Sequence, residues 1–264
     1  MTESPFVDHV DGPFSWRECG TGQPVVFLHG LGGTRSAWGP QLRALAGRFR
    51  CIAWDMPGYG SSAPLDPLTY EGIADRLVGL LDTLSIDRAD LVGLSFGGMH
   101  ALHTALRHPT RVGRMVLADT SPAFGMDGTR PEDWIRSRLA PLDQGKTPGD
   151  AAEHIVDAIT AVTLTGTVRQ EVVGAFAEIG VEGFRAAVQC LPSNDVRSRL
   201  AEIQHPTRVI VGELDEETPV PYATALADGL PNSDLHVLDG IGHLSPSEDP
   251  TRFNQLVADF LTPG

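Results

Sequence analysis

The pentapeptide "GLSFG" places Ser95 between Gly93 and Gly97, at the point where an apolar run gives way to a helix-like pattern. A serine hydroxyl is a weak nucleophile at neutral pH. It needs a histidine to take its proton and a carboxylate to fix that histidine's tautomer. The chain supplies both, in the order serine, acid, histidine. "RVIVGELDEETPV" delivers Asp215 into a loop closed by Pro219, and "LHVLDGIGHLSPSEDP" delivers His243 just after Gly242. Each of the three follows a strand-like run, as required if they meet at the C-terminal edge of one sheet. Asp119 ends the strand after the serine and stands as the second candidate for the acid; Glu213, Glu216 and Glu217 crowd the first.

Acyl transfer also needs donors for the oxyanion. The Phe96 amide opens the helix after Ser95, where free N–H groups and the helix dipole favour negative charge. "FLHGLGGTRSAW" leaves an early strand and offers the Leu31 amide as the second donor. His29 in that loop reads as a structural group that orients the loop through a hydrogen bond. Gly93 and Gly97 answer a steric need, because side chains two residues either side of so tight a turn would collide.

The elements that must position these groups are short and regular. Residues 24–30, 51–55, 89–95, 114–119, 207–213 and 234–239 read as strands rich in Val, Ile and Leu. Their continuous apolarity implies cover on both faces, as in a parallel sheet. Helix patterns at 69–84, 96–107, 221–230 and 247–261 alternate with them. The result is an α/β layout with right-handed crossovers. The rhythm breaks between about 122 and 196, where four helix-like stretches replace any strand pattern. That block is too small and apolar to stand alone, and is expected to pack over the sheet's edge as a lid.

Composition narrows the function classes. Hydrophobic residues are 41% and charged residues 20% of 264, and the net charge is −14. So acidic a chain argues against nucleic-acid partners. Cys19, Cys51 and Cys190 are too few and too scattered for a disulfide framework or a zinc site. His100 and His103 lie one helical turn apart, but without further ligands they read as packed or solvated helix residues, so no metal and no cofactor is expected. The opening "MTESPFVDHV" shows no leader pattern, and no run of about 18 apolar residues exists. A cytoplasmic protein acting on a small molecule is expected, with no membrane partner, as a monomer or homodimer.

Taken together, "HGLGG", "DMPGYGSS", "GLSFGG", "GELDEETP" and "GIGHLSPSEDP" resemble the α/β-hydrolase superfamily, in its order and over most of the chain outside 122–196. The resemblance implies an α/β-hydrolase fold: a mostly parallel sheet flanked by helices, formed by residues 1–121 and 197–264, with a helical lid at 122–196. It implies a Ser95–His243–Asp215 triad with an oxyanion hole at Leu31 and Phe96. Ser61 and Ser62, in a frequent family loop, are not nucleophile candidates. The serine itself separates this chain from dehalogenases and epoxide hydrolases of the same shape, which carry aspartate at that point.

Within the superfamily, "GLSFGGMHAL", "RMVLADTSPAFG" and the long stretch from "VEGFRAAVQC" to "GELDEETP" look like the 3-oxoadipate enol-lactonases. Those open an anionic lactone, which would require lid cations. Arg130, Arg136, Arg138 and Arg185 are available, and Arg185 is the expected substrate contact. Phe124 and Trp134 are the expected apolar contacts; Trp38 and Trp54 are weaker ones. The implied activity is cleavage of an ester or lactone through an acyl-enzyme. Competing readings are C–C hydrolases of meta-cleavage type, which often carry Asn before the serine and Trp after the histidine where this chain has Leu94 and Leu244, and cofactor-free haloperoxidases or perhydrolases. A ligand-sensing receptor of the same fold is the alternative outside catalysis.

Overall fold

The structure, a computed structural model, describes residues 6–262. Residues 1–5, the start of the stretch read for a leader pattern, lie outside the described residues. The first half of the chain forms β1 (Val7–Asp11), β2 (Phe14–Cys19), β3 (Gln23–Leu28), α1 (Gly39–Leu45), β4 (Phe49–Trp54), α2 (Tyr70–Thr83), β5 (Ala89–Leu94), α3 (Phe96–Arg107) and β6 (Val112–Ala118). Four helices then come in succession: α4 (Pro131–Asp143), α5 (Ala152–Ile159), α6 (Gly166–Ala177) and α7 (Val181–Cys190). The chain closes with β7 (Thr207–Gly212), α8 (Val220–Gly229), β8 (Ser233–Leu238), α9 (Ser245–Glu248) and α10 (Pro250–Leu261).

The eight strands make one sheet in the order β1-β2-β4-β3-β5-β6-β7-β8. Pairs β1–β2 and β2–β4 are antiparallel and all later pairs are parallel. Alternation along each central strand divides its residues between two cores. Val26 and Leu28 of β3 pack with Ile73 and Leu77 of α2 and Leu102 of α3. Val25 and Phe27 pack with Leu42 of α1 and with Phe253 and Val257 of α10. Each such burial stabilises by about 1.5–3 kcal/mol. A one-residue slip would exchange the two faces, so the register of the central strands, and hence the height of the loops beyond them, is fixed. This is the α/β architecture expected, a mostly parallel sheet flanked by helices.

Several elements differ from the sequence reading. The β1–β2 hairpin has no counterpart in it: β1 is an edge strand whose "VDHVD" is largely solvent-exposed, so it carries no buried apolar run. Helix α1 is likewise absent from that reading, since its seven residues span barely two turns and open with Gly-Pro. The single helix expected at 247–261 is two. Pro250 cannot donate to a helical ladder and restricts Asp249 before it, and Asp249 instead caps α10 by accepting from the Arg252 amide. No helix among the described residues is long and apolar enough to cross a membrane.

Candidate active site

Ser95 sits between β5 and α3 with φ 54° and ψ −118°, a conformation that L-residues rarely adopt. Backbone hydrogen bonds hold it there, among them one from the Met99 amide to its carbonyl at 3.3 Å. Its amide donates to the Ala118 carbonyl (2.9 Å), and its carbonyl accepts from the Thr120 hydroxyl (2.7 Å) and the Gly98 amide (2.9 Å). The flanking glycines are sterically required. A Cβ on Gly97 would strike the Leu28 carbonyl, and one on Gly93 would come within 2.6 Å of the Gly97 carbonyl carbon and the Gly98 nitrogen.

His243 follows β8 and brings Nε2 to 3.1 Å from Ser95 Oγ. Its Nδ1 lies 2.9 and 3.0 Å from the two Asp215 oxygens. In the neutral ring, with Nδ1–H donated to Asp215, Nε2 is the acceptor facing the serine. Asp215, beyond the end of β7, is itself held by the Glu217 and Thr218 amides (2.9 Å each) and the Thr218 hydroxyl (2.8 Å). Burial works to raise its pKa, but the charge and hydrogen bond of His243 together with the Thr218 donors outweigh it and keep Asp215 below the ordinary carboxylate value. Burial likewise opposes the charged form of His243. The charge and hydrogen bond of Asp215 prevail and push the imidazole up to about 9.

Asp119, the other candidate acid, lies deeper. It accepts from the Gly212 amide (3.0 Å) and the Ser245 amide (3.1 Å), and so ties the ends of β6 and β7 to the segment after His243. Burial and then the charge of Asp215 push it up to about 8. The carboxylate within hydrogen-bond reach of the histidine is that of Asp215.

The amides proposed for an oxyanion have no protein acceptor among the described residues. Phe96 is the first residue of α3, where the helix leaves its N–H unpaired. Its side chain is buried edge-on against Tyr70 and His100. The Leu31 loop is pinned by the Tyr59 hydroxyl on the Leu31 carbonyl (3.0 Å) and by His29, whose Nδ1 meets the Gly30 carbonyl (2.8 Å) while Nε2 accepts from the Met56 amide (3.1 Å). Burial keeps the His29 pKa low, so it serves that loop as a neutral ring.

A cavity of about 550 Å³ opens above Ser95 and His243. Its floor comes from loops at the C-terminal ends of the strands and its roof from the helices between β6 and β7. Phe124 and Trp134 line it, their rings edge-to-face at 5.4 Å, as does Trp38; Trp54 is core. Arg185 does not line it, which corrects the expectation from sequence. Helix α7 turns Phe184, Ala187 and Val188 inward, and at 100° per residue Arg185 falls on the outer side. There it pairs with Asp143 at 3.0 Å. Arg130 and Arg136 are also solvent-exposed, beside Asp133. Arg138 alone of the four reaches the cavity, and it is held by Glu217 at 2.8 Å. His100 and His103 are absorbed in packing: His103 stacks on Tyr70 at 4.0 Å and meets the Asn194 side chain at 3.0 Å.

Two sets of residues escape sequence reasoning. Met99, Ile155, Val172 and Phe176 line the cavity, but in a sequence they are indistinguishable from core positions of their helices. Glu248 in "SPSEDP" has the appearance of an ordinary helix-start acid. It is buried and accepts four backbone amides, from Gly242 (3.0 Å), Leu244 (3.0 Å), Ala161 (2.8 Å) and Val162 (2.9 Å).

The profile of a family described as "Alpha/beta hydrolase family" matches residues 25–256. The chain is 33% identical over 270 residues to the 2-hydroxymuconate semialdehyde hydrolase of Pseudomonas sp. (strain CF600), covering 92% of this chain and 88% of that one. It is 25% identical over 238 residues to 3-oxoadipate enol-lactonase 1 of Acinetobacter baylyi (strain ATCC 33305 / BD413 / ADP1), covering 90% and 88%. The solved enol-lactonase from Burkholderia xenovorans LB400 superposes with a TM-score of 0.84 at 27% identity, over 97% of this chain and 100% of that one.

Because Asp215 is what lifts His243, removing its charge should let burial win. In a ¹⁵N NMR titration the His243 ring of the wild type should lose its proton near pH 9. In Asp215→Asn the midpoint should fall below about 7. A midpoint unmoved by that substitution would contradict the assignment of the acid.

Proposed function

The chain belongs to the α/β-hydrolase family, and on that premise we propose that it is a serine hydrolase that opens esters or lactones. The observation that carries this reading is the unbroken hydrogen-bonded line from Asp215 through His243 to Ser95, ending at a cavity. In its neutral form His243 takes the Ser95 proton on Nε2 as Oγ bonds to the substrate carbonyl carbon, and the Leu31 and Phe96 amides receive the oxyanion. The carbonyl re-forms as the C–O bond to the leaving oxygen breaks, and that oxygen takes the proton from His243. A water then gives a proton to His243 and its oxygen to the acyl carbon, and Ser95 departs with its proton restored. In a lactone the leaving oxygen stays tethered and the product is a single hydroxy acid.

In this reading residues 122–196 act as a lid over a core of residues 1–121 and 197–264. The substrate is a small molecule, and the chemistry uses only the groups named. The 33% identity to a 2-hydroxymuconate semialdehyde hydrolase favours a second reading, hydrolysis of a C–C bond beside a carbonyl on the same three side chains.

Ser95→Ala should lower kcat/KM on p-nitrophenyl butyrate by on the order of 10³ or more, with the fold retained by circular dichroism. Near-normal turnover would overturn the nucleophile. If the wild type hydrolysed a vinylogous 1,5-diketone with a kcat/KM well above that for any ester or lactone tried, the C–C reading would replace the first.

A further inference from the structure

Resting on the hydrolase reading, we propose that the substrate is a neutral ester or lactone with a hydrocarbon body, and that the site selects against carboxylates. Around the nucleophile the cavity wall is hydrocarbon and aromatic: Leu31, Met99, Phe124, Phe176, Phe184 and Leu244. Apart from the His243–Asp215 pair at the base, charge is confined to the mouth. Asp127, Glu216 and Glu217 are solvent-exposed there. Among the described residues Arg138 is the only Arg or Lys lining the cavity, with His154 at the exposed rim. Both Glu217 oxygens hold the Arg138 guanidinium, at 2.8 and 3.2 Å, and the guanidinium also lies over the Trp134 ring at 5.6 Å.

An anionic substrate therefore approaches a mouth with three carboxylates and one neutralised arginine, on a chain of net charge −14. Inside, its carboxylate would shed water against a wall whose one ionisable partner near the nucleophile, His243, is already paired with Asp215. The cations that an anionic lactone would require are turned outward, as Arg185 is. A neutral acyl chain meets neither penalty and gains from burial against the same wall.

The test is a matched pair of the same length: p-nitrophenyl hexanoate and the mono-p-nitrophenyl ester of adipic acid. The wild type should favour the hexanoate in kcat/KM by roughly 100-fold or more, as expected for an unpartnered charge in an apolar wall. Glu217→Gln, which releases Arg138, should narrow that ratio by about threefold to fivefold, the scale of one exposed ion pair. A wild-type ratio near one, or in favour of the adipate, would overturn this inference and leave the hydrolase reading standing. A ratio unmoved by Glu217→Gln would overturn the part given to the Arg138–Glu217 pair. Turnover of neither ester would instead overturn the hydrolase reading, and this inference with it.

A separate observation concerns Glu248. Its carboxylate accepts from the amides on either side of His243 and from the two residues Ala161 and Val162 just beyond α5, while the His243 amide itself donates to the Ile159 carbonyl at 2.9 Å. Oε2 accepts three of these amides and Oε1 the fourth, that of Leu244, so both carboxylate oxygens are engaged. We infer that Glu248 is a positioning residue that locks the histidine loop to the helical insert and so holds Nε2 at Ser95. Glu248→Gln keeps the shape but turns an N–H₂ toward amide donors. It should lower kcat on p-nitrophenyl butyrate more than about tenfold with KM within about threefold. It should also speed hydrogen exchange at the Gly242, Leu244, Ala161 and Val162 amides. Glu248→Asp, which keeps the charge at shorter reach, should give the same signs and serves if the glutamine variant does not fold. A folded variant with unchanged kcat, or with a loss confined to KM, would overturn the role.

Discussion

Everything at this site depends on one backbone residue held where L-residues seldom go. Ser95 can sit at φ 54° only because the end of β6, Thr120 beyond it and the first turn of α3 supply its hydrogen bonds. A strain of that kind costs on the order of 1–3 kcal/mol and persists only when the surroundings over-determine it. The two cores do that by fixing strand register, and the close approach of Gly97 to the Leu28 carbonyl does it locally. The strained turn in return exposes Oγ above the sheet, beside the first free amide of α3.

The second requirement is electrostatic. Three buried ionisable groups share a small volume: Asp119, Asp215 and His243. Their environments set them apart. Asp215 is surrounded by donors and held low, and Asp119 is pushed up by burial and by its neighbour. His243, between carboxylate and hydroxyl, gains basicity from the pair it makes. Thus one aspartate orients the His243 ring while the other bonds the Gly212 and Ser245 amides, which carry the loops that hold the pair.

Much of this is legible in the sequence, and the reasons are local. Gly93, Ser95 and Gly97 record a steric demand within five residues. Asp215 and His243 each follow a buried strand, and strands of continuous apolarity announce themselves. The features that cannot be read there depend on distant partners. Helix phase around Phe184 decides that Arg185 faces out, and only the packed insert reveals that phase. Glu248 receives amides from residues 86 and 87 positions away, which no spacing rule reports. The β1–β2 hairpin is hidden because an exposed edge strand buries too little to leave an apolar signature.

The central claim is that Ser95 is the activated nucleophile, and covalent trapping reads it directly. Diisopropyl fluorophosphate should form a Ser95 Oγ–P bond with loss of fluoride, giving a single adduct that peptide mass spectrometry places on the segment containing Ser95. The adduct should be absent when His243 is replaced by alanine. Labelling at another serine, or equal labelling without His243, would contradict the account.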